Sequence, residues 1–275
     1  MRTDSHIDRY GLIIGAMKSG TTSLFRYLAR HPQVAAASDK EMNFFADDEH
    51  WERGLDWYEA HFDWDASQHR IALEASTHYT KRPEFPNAAE RIARIDASFQ
   101  FIYLVREPVA RIESHLTHGL YMGWLAERKH VREHQHALDL TRYAYQLDAY
   151  LEHFERSDIL VLRLCDLRDA PSRTVRRVCE FLDLSTEPDL VTSRRYNTSR
   201  SKTKPSMLWQ GIEALGPLAN LAREKFSLDT RRWLGEPVER QRLTDEERRY
   251  VRRALADDHR RLAEEYGIEP FDHAG

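Results

Sequence analysis

Cysteine is nearly missing from this chain: Cys165 and Cys179 are the only two among 275 residues. Two thiols cannot staple a chain of this length, and they lack zinc-ligand spacing, so a disulfide scaffold and a zinc module are both excluded. They read as small packing residues in a reducing compartment. Long apolar runs are missing too. The longest, Leu12 to Met17, falls far short of the roughly 20 residues that cross a bilayer. The opening Met1-Arg2-Thr3-Asp4-Ser5-His6 has no apolar stretch of the secretory kind. No membrane insertion is expected, and a cytoplasmic location is. Nor does one charge dominate, since 41 Lys and Arg face 45 Asp and Glu for a formal net charge of −4. That balance excludes the cationic surface of a general nucleic-acid coat, so any anion bound here is held by a local pocket.

What is present is globular. A hydrophobic share of 41% and a charged share of 31% permit a sizeable core and exclude wholesale disorder. No repeat or Pro/Gly/Ser-rich linker divides the chain, so residues 1–275 read as one unit with a motif-bearing core over about 10–205 and a helical part over 206–275. Gly11 to Gly15 suits a buried strand, and Thr21-Thr22-Ser23 opens a helix through Leu24, Phe25 and Leu28 that stops before Pro32. Phe101 to Val105 repeats the strand signal before a helix whose first turn takes Pro108. Ile159 to Leu164 and Arg70 to Glu74 are further strand candidates, and Pro171 opens another helix. Strands alternating with helices predict a three-layer α/β/α fold around a central parallel sheet. Thr244 to Tyr266 reads as one helix with Val251, Leu255 and Leu262 inward and its charges, Glu246 and Glu247 among them, in solvent. Residues 119–140 read as a long polar loop, a lid or substrate loop, whose His130, His134 and His136 are solvated; no metal is expected.

Gly15-Ala16-Met17-Lys18-Ser19-Gly20-Thr21-Thr22-Ser23 sits where the first strand turns into the first helix. Backbone N–H groups converge at such a turn, the helix dipole adds positive potential, and Lys18 adds a full charge, so the loop is a phosphate cradle. Its wiring is not that of the triphosphatase loop G-x-x-x-x-G-K-S/T, because the lysine precedes Gly20. The nearest apolar run ending in aspartate, Val161 to Asp166, is interrupted by Arg163, which leaves Mg²⁺ without a convincing partner and makes phosphoryl transfer the weaker reading.

The segment Lys18-Ser19-Gly20-Thr21-Thr22-Ser23 after a strand resembles the 5′-phosphosulfate-binding loop of sulfotransferases that use 3′-phosphoadenylyl sulfate (PAPS). Tyr103 to His115 is similar to the 3′-phosphate motif of that family, with Arg106 at a strand end and Ser114 eight residues on. His31-Pro32-Gln33-Val34 and Lys40-Glu41-Met42-Asn43-Phe44-Phe45 look like segments of heparan-sulfate-type and bacterial members. Leu162 to Leu167 and Val178 to Leu182 resemble the late strand–helix unit, and Arg200 to Pro205 the basic loop that closes over the nucleotide.

The resemblance implies PAPS as donor, no metal, and in-line sulfuryl transfer to a hydroxyl or amine of a small molecule, lipid or carbohydrate. It implies Lys18 on the bridging oxygen, Ser19, Gly20, Thr21, Thr22 and Ser23 around the 5′-phosphate, and Arg106, Ser114, Arg200 and Lys202 around the 3′-phosphate. Glu41 matches the family's catalytic glutamate; burial beside Phe44 and Phe45 is expected to raise its pKa, and a surface ion pair with Lys40 is the competing reading. His115 is a rival catalytic base, as is His118. Glu74, His78 and Tyr79 are expected on the acceptor side, with a buried structural role for Tyr79 as the alternative. Asn43 and Ala75 stand where heparan-type members carry histidine and a basic residue, which points to another acceptor and leaves open a PAPS-binding protein without catalysis.

Overall fold

The computed structural model describes residues 7–125, 127, 129–186, 189–191, 203–204, 236–237, 240–269 and 271. The apolar runs form strands β1 (Arg9–Gly15), β2 (Val34–Ala36), β3 (Ile71–Ala75), β4 (Ser98–Val105) and β5 (Ile159–Arg163). They make one sheet in the order β2-β3-β1-β4-β5, and every neighbouring pair is parallel. Leu12 sits opposite Glu74 on one side and Phe101 on the other, at the centre of the sheet. The helices are α1 (Thr21–Leu28), α2 (Asp48–Glu52), α3 (Leu55–Glu59), α4 (Ala88–Ala93), α5 (Pro108–Met122), α6 (Gln135–Asp139), α7 (Tyr143–Leu151), α8 (Leu164–Asp169), α9 (Pro171–Phe181), α10 (Asp245–Ala254) and α11 (Ala256–Tyr266).

Alternation along the strands divides the core between the two faces. Tyr10, Leu12 and Ile14 of β1 and Phe99, Phe101 and Tyr103 of β4 pack with Phe44, Phe45 and Tyr58 and with α4, α7 and α11. Ile13, Ile102 and Leu104 point the other way, onto Leu24 and Leu28 of α1 and Val175 and Val178 of α9. These are the three expected layers. A third apolar cluster joins Val109, Ile112 and Leu116 of α5 to Leu243, Val251 and Leu255. The chain enters the sheet in the middle, visits β2 and β3 on one side, then crosses to β4 and β5. In such a sheet the crevice lies at the carboxyl ends of the central strands, where successive connections diverge.

Three expectations are corrected. The stretch 244–266 is two helices that meet at Leu255, not one. Glu247, expected in solvent, is buried: it completes a capping box with Thr244 and accepts from the N–H of Val131 (3.1 Å). Residues 119–140 are not one irregular loop, since α5 continues to Met122, Val131–Glu133 form a 3-10 turn, and α6 follows. Among the described residues no helix is long and apolar enough to cross a membrane, and no cluster of His, Cys, Asp and Glu is arranged around a metal site.

Candidate functional site

The connection after β1 is shaped by backbone that most side chains cannot adopt. Gly20 has φ +95°, and a Cβ there would lie 2.6 Å from Cδ1 of Leu164, so both conformation and space call for glycine. Lys18 is also left-handed, with φ +71°. The N–H groups of Ser23 and Leu24 both reach the carbonyl of Gly20 (3.0 and 3.3 Å), and no backbone carbonyl among the described residues takes those of Thr21 and Thr22. These are the unmatched donors of a helix start. Ser19 is fully buried, and its hydroxyl finds no partner among the described residues. An orphaned hydroxyl, unmatched N–H groups and the positive end of α1 together fit a phosphate or phosphosulfate group.

The connection after β4 begins at Arg106. Its backbone is held from both sides by Tyr143, whose hydroxyl donates to the Arg106 carbonyl (2.8 Å) and accepts from its N–H (3.3 Å). Nη1 of Arg106 donates to the carbonyl of Lys18 (3.2 Å), so the two connections touch. Pro108 opens α5, and the Glu107 carboxylate caps it by accepting from the N–H groups of Val109 and Ala110 (3.1 and 2.7 Å). Ser114 lies two turns along, and it lines a single cleft with Arg106, Ala110, Thr117, His118 and, from the C-terminal segment, Arg240. The spacing between Arg106 and Ser114 therefore brings both to one place. Arg240 and the neighbouring Arg242 were invisible to motif reading because they lie beyond the stretch that resembles the family. Arg200 and Lys202 lie outside the described residues.

A third group of candidate residues lies around the end of β3. Glu41 has φ +65° and Asn43 φ +54°, and the segment they belong to is pinned to the end of β3. The Glu41 N–H donates to the Ala75 carbonyl (2.9 Å), and the Asn43 N–H to the Ser76 hydroxyl (2.9 Å). The Glu41 carboxylate accepts from Thr77 N–H and hydroxyl (2.7 and 3.0 Å) and pairs with Lys40. Burial alone would raise its pKa, but the Lys40 ammonium and the Thr77 donors outweigh burial and hold it below the usual value. The expected upward shift is thus corrected: Glu41 is a half-exposed carboxylate kept ionised, and the Lys40 pair is present.

Glu74 has the opposite surroundings. It is completely enclosed, and burial pushes its carboxyl up to about 7 against the lowering effect of hydroxyls from Ser76, Tyr79 (2.7 Å) and Tyr58 (3.2 Å). Tyr79 is buried with it, so Glu74 does not face a cleft as expected and Tyr79 takes the buried structural alternative; both brace the segment 41–45 from behind. His78 is half-buried and stacked on Phe85 at 4.6 Å between centroids. Burial lowers its pKa, and Glu41 and Lys81 are among the charges it feels. Lys81 is buried as well; burial lowers its pKa, and Glu84 and Glu41 are among the charges it feels.

His115 is corrected as well. It lies on the side of α5 away from the Ser114 cleft, against Trp124 and His136 (5.0 and 5.7 Å). Burial, with Arg111 next in effect, pushes its pKa down to about 2, so the ring holds no proton near neutrality and is a poor base. His118, one turn on, is the histidine that reaches the cleft.

Comparison with known proteins gives a consistent picture. The sulfotransferase domain model matches residues 8–211. The chain is 32% identical over 152 residues to heparan sulfate glucosamine 3-O-sulfotransferase 5 of Mus musculus, covering 53% of this chain and 42% of that protein. It is 27% identical over 271 residues to the bifunctional heparan sulfate N-deacetylase/N-sulfotransferase 1 of Caenorhabditis elegans, covering 82% of this chain and 31% of the relative. The chain thus spans less than half the length of these two curated relatives. In fold it is similar to a crystal structure of a sulfotransferase from Alicyclobacillus acidocaldarius, with TM-score 0.63, 23% identity, and coverage of 95% of this chain and 96% of that one.

Proposed function

This chain belongs to the sulfotransferase domain family, and from that premise we propose that it moves a sulfuryl group from PAPS to a hydroxyl, or less readily an amine, of an acceptor molecule. The observation that carries the reading is the contact between two anion-binding connections. The orphaned donors of the β1–α1 turn and the cleft of Arg106 and Ser114 are joined by the hydrogen bond from Arg106 to Lys18. A nucleotide phosphorylated at both ends of its ribose presents two such anions a fixed distance apart.

In this reading the turn holds the 5′-phosphosulfate through Ser19, Gly20, Thr21, Thr22 and Ser23, and Arg106 with Ser114 holds the 3′-phosphate. The acceptor oxygen attacks sulfur in line. A new S–O bond forms, the S–O bond to the 5′-phosphate breaks, and the electron pair departs with that phosphate, leaving adenosine 3′,5′-bisphosphate. Lys18 neutralises the charge that grows on the departing oxygen. Glu41 takes the proton of the acceptor hydroxyl; being ionised at neutral pH, it is ready as a base without any prior deprotonation. His78 and Lys81, which both feel the charge of Glu41, are assigned to the acceptor side in this reading. Glu74, Ser76 and Tyr79 act behind it by fixing the segment 41–45.

The test is transfer from labelled PAPS to a panel of alcohols, amines and saccharides in the presence of EDTA, with release of adenosine 3′,5′-bisphosphate followed in parallel. Sulfated product supports the reading. Tight binding of the bisphosphate with no transfer to any acceptor would leave a nucleotide-binding protein without catalysis, and Mg²⁺-dependent consumption of ATP would indicate phosphoryl transfer.

A further inference from the structure

We propose that Arg240 is a direct ligand of the donor's 3′-phosphate, carried into the cleft by a clamp that the buried carboxylate of Glu113 closes on the C-terminal segment. The proposal rests on the reading of the cleft as the 3′-phosphate site. Its starting point is that one face of α5 recurs at Ala110, Ser114 and His118, with Glu113 and Thr117 beside them, as helical neighbours three and four apart do. Opposite that face run Arg240, Gln241 and Arg242.

The segment is not lying loosely there. Glu113 is only 5% exposed, and its carboxylate accepts from the N–H of Leu243 (3.0 Å), from Arg242 (2.7 Å) and from Arg248 (2.9 Å). The Thr117 hydroxyl donates to the Glu113 carbonyl (2.7 Å) and accepts from the N–H of Gln241 (3.0 Å). Four hydrogen bonds thus fix residues 241–243 and Arg248 to two consecutive turns of one helix. Arg240 is the next residue outward, and its exposed side chain lines the cleft.

The charges divide in a way that favours a phosphate. A bare Glu113 carboxylate in the wall would repel an anion, but Arg242 and Arg248 both neutralise it. Among the described residues no carboxylate pairs with Arg240. What remains for an incoming group is the guanidinium of Arg106 at the strand end, the hydroxyl of Ser114 on α5 and the guanidinium of Arg240 from the facing wall. Donors from three directions suit a terminal phosphate with three oxygens and two negative charges better than a planar carboxylate, and guanidinium forks match phosphate oxygens in pairs.

Calorimetric titration of the full chain with adenosine 3′,5′-bisphosphate and with adenosine 5′-monophosphate tests this. The wild type is expected to prefer the bisphosphate. Arg240→Ala is expected to weaken the bisphosphate by about ten- to a hundredfold, leave the monophosphate unchanged and leave the melting temperature unchanged, because the side chain is exposed. Arg240→Lys, which keeps the charge and loses the fork, is expected to fall between. Arg240→Ala with undiminished preference for the bisphosphate overturns the ligand role and leaves the cleft assignment standing. Equal weakening of both nucleotides also overturns it, since that marks a structural effect. A wild type with no preference removes the cleft assignment and the role of Arg240 together.

Discussion

Glu41 and Glu74 are the same functional group in opposite surroundings, and the difference is measurable. Glu41 is held ionised by Lys40 and Thr77, so the acid limb of kcat/KM should lie below the ordinary carboxylate value of about 4.3 if Glu41 is the base. A limb near 7 would assign proton transfer elsewhere. Glu41→Gln should lower kcat by about 10²–10⁴-fold while costing at most about 1 kcal/mol of stability, because the amide oxygen can still accept from Thr77 and a partly exposed pair with Lys40 is worth little. Glu74 carries a folded-state pKa raised from 4.5 to about 7, so its contribution to stability is full below the unfolded value and declines as pH rises through 7. Glu74→Gln keeps the shape and removes the titration. It should therefore flatten the stability profile between pH 4.5 and 7 by on the order of 3 kcal/mol, which denaturant melts at both ends of that range would reveal. The residue types at 41 and 74 were legible in the chain. Their environments were not, because Lys40 and Thr77 reach Glu41, and Tyr58, Ser76 and Tyr79 reach Glu74, only once β3 lies beside the segment 41–45. For the same reason His115 looked eligible as a base until the turn of α5 placed it against Trp124.

At the scale of elements, the turn between β1 and α1 tolerates least change. Gly20→Ala forces a left-handed residue and a contact with Leu164, at a cost of about 1–3 kcal/mol, and should also abolish nucleotide binding by displacing the N–H groups of Thr21 and Thr22. Unchanged melting of that variant would contradict the conformation described. β1, β3, β4 and β5 were readable because each is a short apolar run bounded by turn residues. β2 was not, since three residues give no period and its place at the sheet edge is fixed by pairing with Ile71, Ala72 and Leu73. The interruption at Leu255 escaped too: the apolar stripe of Val251, Leu255 and Leu262 carries on across it, and only the docking of α10 on α5 and of α11 on α7 makes two helices of one pattern.

For the molecule as a whole, the connections that leave β1, β3 and β4 gather at one edge of the sheet, while the chain's last described part returns to the same edge through Glu113. The alternation of strands and helices made the layered architecture legible, but not this return, because residues 240–248 carry no motif and meet α5 only in three dimensions. Ligand binding should therefore stabilise elements far apart in sequence. Adenosine 3′,5′-bisphosphate at a hundred times its dissociation constant is expected to add about 2.7 kcal/mol and to raise the melting temperature by about 5–10 °C. A thermal shift assay without any such rise would count against a nucleotide site bridging these connections.

The short reach from Arg106 to the carbonyl of Lys18 fixes more than a contact. On the proposed function it sets the two connections as the jaws of a caliper locked at one opening, so that geometry as well as charge would screen what enters. The isomer bearing its second phosphate on the ribose 2′ oxygen has identical charge and composition, yet it offers a different span, and this protein is expected to refuse it.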